Sequence, residues 1–137
     1  MNRLLTSVIA ALALVPLAAS AQGRCSGGNP AINHVEVQST HTMGGVNTYV
    51  IVGSVMNMGT MNQPANTLQF VDIYNGSDKV DSKTIPPITT SGTTHFTYQW
   101  KRASDAGAGT TTLTFKLRMV HGTNCNPSNG ATATLKF

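Results

Sequence analysis

Residues 112–120 read Thr-Leu-Thr-Phe-Lys-Leu-Arg-Met-Val and alternate without a break. Leu113, Phe115, Leu117 and Met119 fall on one side, and Thr114, Lys116 and Arg118 on the other. A period of two marks a half-buried β-strand, because successive side chains of extended backbone point to opposite faces. Upstream, His95–Lys101 (HFTYQWK) repeats the pattern with Phe96, Tyr98 and Trp100 against Thr97, Gln99 and Lys101. Downstream, a turn-forming Asn124–Gly130 stretch leads into Ala131–Phe137 (ATATLKF), which alternates to its last residue.

Four more strands precede these. His34–Thr40 (HVEVQST) is half-buried, with Val35 and Val37 on one face, and Tyr49–Met58 (YVIVGSVMNM) is apolar enough to predict neighbours on both sides. Thr67–Tyr74 (TLQFVDIY) ends at Asn75-Gly76, a strong hairpin signal. Lys79–Ile85 is short and charged and stops at Pro86-Pro87, which suits a sheet edge. No stretch carries an apolar stripe of helical period. Threonine, at 19 of 137 residues, crowds out good helix formers. Seven short strands in one chain of this length predict an all-β fold, a single seven-stranded immunoglobulin-like β-sandwich without a second domain.

Residues 1–21 read as a secretory signal peptide. Asn2 and Arg3 precede an apolar run from Val8 to Ala19, and Ala19-Ser20-Ala21 supplies the small-residue exit, which places the cut before Gln22. The run is too short to span a bilayer, whose core needs ~20 apolar residues. The mature domain is then 22–137, exported to the periplasm or the extracellular space, with no transmembrane segment once the leader is gone. In an oxidising compartment Cys25 and Cys125 are expected to form one disulfide between the mature N-terminus and the turn before the last strand.

Only 10% of residues are charged. Lys101-Arg102 is the one basic doublet, and no basic stripe interleaves with aromatics, so the composition argues against a nucleic-acid partner. Strands this short, with few aromatics, also argue against an outer-membrane barrel.

The pattern Val50-x-Val52-x-x-Val55-x-Asn57-x-Gly59, the Tyr74-Asn75-Gly76 strand end and Phe96-x-Tyr98-x-Trp100 resemble a CARDB-type domain, the cell adhesion related immunoglobulin-like module of bacterial surface and secreted proteins. Leu113-x-Phe115-x-Leu117 after Gly107, and the Asn-rich turn before the last strand, agree with it. The resemblance covers about Val35–Phe137. It implies a non-enzymatic adhesion, binding or scaffolding module outside the cytoplasm, with a protein or cell-envelope glycan as partner. At the Val-x-Asn-x-Gly step, Asn57 is placed to bond the turn backbone and Gly59 to take a positive φ. Gly76 serves its hairpin, and Trp100 is expected in the core.

Few residues invite chemistry. Met56, Met58 and Met61 put three thioethers within six residues, with His41 and Met43 expected in the preceding loop. Such soft ligands suit Cu(I), so a small periplasmic copper-binding protein is the alternative function. Methionines at such positions also simply fill core edges. The histidines are too scattered for paired ligation, no nucleophile elbow occurs, and no catalytic residues or cofactor are expected. Asp72 interrupts an apolar strand and, by alternation with Val71 and Ile73, is expected to face solvent.

Overall fold

A computed structural model describes residues 25–137. The leader expected at 1–21, with its cut, lies outside the described residues. Among the described residues there are seven strands and no helix: β1 (Pro30–Met43), β2 (Val46–Asn57), β3 (Leu68–Asn75), β4 (Asp78–Ile85), β5 (Thr93–Ala103), β6 (Thr112–His121) and β7 (Thr132–Lys136).

The strands form two antiparallel sheets, β1-β2-β5 and β4-β3-β6-β7. In the constant-type immunoglobulin arrangement the fourth strand extends the sheet of the first. Here it pairs with β3 instead, and the cause is local. Asn75 pairs directly with Asp78, so only Gly76 and Ser77 form the loop. Gly76 takes φ 60° at the first central position, the type II′ geometry whose twist matches the flanking strands. A hairpin that tight leaves β4 no choice of neighbour.

The inner faces meet in one core. Ile51, Val55, Phe96 and Trp100 from the three-stranded sheet pack against Val71, Ile73, Leu113 and Phe115 from the other. Trp100 is buried, with Tyr49 stacked on it at 5.5 Å and Phe137 tilted against it at 4.6 Å. Gly53 makes room for a large neighbour: a Cβ there would lie 2.2 Å from Cζ of Phe96. That ring in turn packs 6.0 Å from Phe115. Gly53→Ala is therefore expected to cost about 1–3 kcal/mol through overpacking, read as a lower urea midpoint. Phe96→Leu in the same chain should recover part of the loss. An unchanged midpoint for the single variant would mean that the ring yields freely.

The edges differ in protection. β4 carries Asp81 and Lys83, whose side chains meet at 2.7 Å beside Tyr98 and close the seam toward β5. β1 is irregular instead, with register shifts at Ile32/His34 and Val37/Ser39. Such bulges twist an edge away from further pairing.

Candidate functional site

Two regions hold polar side chains in fixed positions: one pole of the sandwich and the outer face of the four-stranded sheet.

At the pole, Cys25 and Cys125 are joined in a disulfide with their Cα atoms 5.8 Å apart. The arm after Cys25 lies on the β2–β3 connection. Cys125 N–H donates to the Gly28 carbonyl, Met61 N–H to that of Gly27, and Met58 N–H to that of Asn29. Asn57, the last residue of β2, is fully buried and sits at the centre. Its Oδ1 accepts from Asn29 N–H at 2.9 Å and Gly59 N–H at 3.0 Å, while Nδ2 donates to the carbonyls of Met61 at 2.8 Å and Ile88 at 3.0 Å. Two acceptor sites and two donors are the full capacity of the amide, and all are used.

The requirement for Gly59 is different from the one expected. It does not adopt a positive φ; a Cβ there would stand 1.9 Å from the Gly27 carbonyl oxygen. Close approach of the disulfide arm, which local sequence does not reveal, excludes a side chain. Behind Asn57, Gln63 and Gln69 exchange amide hydrogen bonds of 3.0 and 2.7 Å, and Gln63 Oε1 also accepts from Ile88 N–H. This pair was not foreseen, although Gln69 shares its strand face with inward Val71 and Ile73.

The soft-ligand candidates fall into two groups. Met58 and Met61 are exposed in the loop at this pole, and Met58 Sδ accepts from Asn129 Nδ2 at 3.5 Å. Met56 is half-buried on β2, paired with Ala31 and Thr93. His41 and Met43 are not in a loop before them but on β1, paired with Thr48 and Val46. The eight residue steps of strand from Thr48 to Met56 span roughly 27 Å, so His41 and Met43 do not join the thioethers. Among the described residues, no three His, Cys, Asp or Glu side chains gather as a metal site.

Asp72 occupies the outer face, as alternation requires, yet it is only 2% exposed. Arg118 covers it. Register places Arg118 opposite Phe70 and Lys116 opposite Asp72. From there the guanidinium bonds both carboxylate oxygens, Nε to Oδ2 at 2.5 Å and Nη2 to Oδ1 at 3.0 Å. Ser82 Oγ adds a bond to Oδ1 at 2.6 Å from β4. Arg118 also lies 4.6 Å from the centre of the Phe70 ring, and Lys116 Nζ 4.8 Å from that of Tyr74. A forked, charge-assisted pair of this kind is both directional and strong.

The Arg118 hydrogen bonds, working against desolvation and aided by Ser82, hold the Asp72 carboxyl down to about 2. A carboxyl whose folded pKa is depressed adds stability that is present above its unfolded pKa and is lost as pH falls through the folded one. The window is therefore pH ~4 down to ~2, and a shift of this size corresponds to about 2 kcal/mol, less in high salt. Urea titrations at stepped pH should show Asp72→Asn losing this part of the acid sensitivity relative to the parent chain. Parallel curves for the two would refute the pairing.

Compared with protein-family models, curated proteins and solved structures, the chain matches none.

Proposed function

We propose that this chain is an exported, non-enzymatic immunoglobulin-like module that binds a cell-envelope partner in adhesion or scaffolding. The outer face of the four-stranded sheet carries the reading. There a buried carboxylate and two aromatic rings hold the cationic side chains of Arg118 and Lys116 in place on the open side of the sheet. A surface whose side chains are already ordered loses less rotamer freedom on binding, and preorganisation of that kind favours recognition. The CARDB-like strand pattern supports the same assignment. So does the disulfide, which suits an oxidising compartment.

The test is co-sedimentation. Mature protein mixed with washed, detergent-free envelope fragments is expected to pellet with them and to saturate. Recovery of all the protein in the supernatant at every fragment concentration would end the proposal.

A further inference from the structure

Residues 25–137 contain seven lysines and arginines, and four of them belong to the outer face of the four-stranded sheet. Lys79 is opposite Tyr74, Lys116 opposite Asp72, Arg118 opposite Phe70, and Lys136 opposite Thr112. Against them stands one carboxylate, Asp72, already engaged by Arg118 and Ser82. Asp78 lies at the margin, at the β3–β4 turn, and Asp81 is held by Lys83 toward Tyr98 on the other side. The face is thus cationic even though the chain as a whole has little charge.

Its remaining side chains are mostly hydroxyls. Thr114 and Thr134 pair across β6 and β7, Thr132 pairs with Lys116, and Ser82 and Thr84 lie on β4. The rings of Phe70 and Tyr74 are covered by Arg118 and Lys116, so neither is free to stack a nucleobase. Large exposed apolar side chains, the usual centre of a protein interface, lie only at the margins of this face: Leu68 at the start of β3, Val120 at the end of β6 and Val80 on the edge strand.

We propose that this face binds a linear polysaccharide bearing carboxylates, with Lys116 and Lys136 as its main charge contacts. The proposal rests on the binding-module reading and names the ligand class. The open sheet face suits an extended glycan, its lysines meet the glycan's carboxylates, and rows of threonine hydroxyls meet its own hydroxyls. Charge complementarity selects an anionic chain over a neutral one.

Polygalacturonate, dextran and duplex DNA serve as probes, with binding to the mature protein followed by calorimetry. Polygalacturonate is expected to bind, and to bind more weakly as salt rises. The pair Lys116→Glu and Lys136→Glu should weaken it by at least about tenfold. Lys101→Glu, on the opposite sheet, should change it less than about twofold. Melting curves check that each variant is folded. Equal binding of dextran, a preference for duplex DNA, or indifference to the double reversal would each overturn the proposal. If polygalacturonate fails while the protein still pellets with envelope fragments, this inference falls and the module reading stands. If both fail, both are wrong.

Discussion

Replacing Cys25 and Cys125 together with serine is expected to lower the unfolding free energy by about 4–5 kcal/mol. The crosslink joins residues 100 apart in sequence, so it restricts the unfolded chain over nearly the whole domain. Domains of this size are stable by only about 5–15 kcal/mol, so the loss is a large fraction of the total. Because the effect acts on the unfolded ensemble, the urea dependence should steepen as that ensemble expands. The arm also lies over the β2–β3 connection, so its release should loosen Met58 and Met61 in the folded state as well. Paired denaturation curves of the parent, with and without reductant, and of the double variant check the figure. A difference below about 1 kcal/mol would mean that the arm contributes little once folded and that the unfolded chain is compact without it.

Asn57→Ala is expected to be nearly as damaging, at about 3–5 kcal/mol. The substitution removes no large apolar surface. It strands two N–H groups, of Asn29 and Gly59, and two carbonyls, of Met61 and Ile88. Each buried group left without a partner costs about 1–3 kcal/mol, reduced where the loop relaxes toward water. Amide exchange gives the specific signature: the protons of Asn29 and Gly59 should lose protection ahead of core amides such as those of Ile51 and Val71. Uniform acceleration across the domain would instead indicate general destabilisation, with Asn57 no special anchor.

The strands were legible because burial on one face writes a period of two into the sequence. Thr112–Val120 and His95–Lys101 show it cleanly, and the observed strands extend these windows by only a residue or two at either end. The tight Asn75–Asp78 turn was legible for the same local reason, and it settles the neighbour of β4. Gly59 was recognised as necessary but for the wrong cause, since its constraint comes from Gly27, 32 residues away in sequence. Asp72 was placed on the correct face yet judged solvated, because nothing near it in sequence announces Arg118.

Apart from β1, whose bulges leave Val37 exposed and whose turn falls at Gly44-Gly45, composition and alternation were enough to establish the seven strands of the described residues, the side of each that faces inward, and where the turns fall. Those properties depend on φ and ψ preferences and on side-chain burial within a few residues. Which polar groups meet was decided by folding. Asp72 and Arg118 are separated by 46 residues, and Asn57 finds partners 28 and 31 residues away. Strand pairing and sheet stacking bring such groups together, and a hydrogen bond exists only once both ends are in place. The cationic face has the same origin. Only Lys116 and Arg118 are close along the chain; Lys79 and Lys136 become their neighbours when β4, β3, β6 and β7 lie side by side.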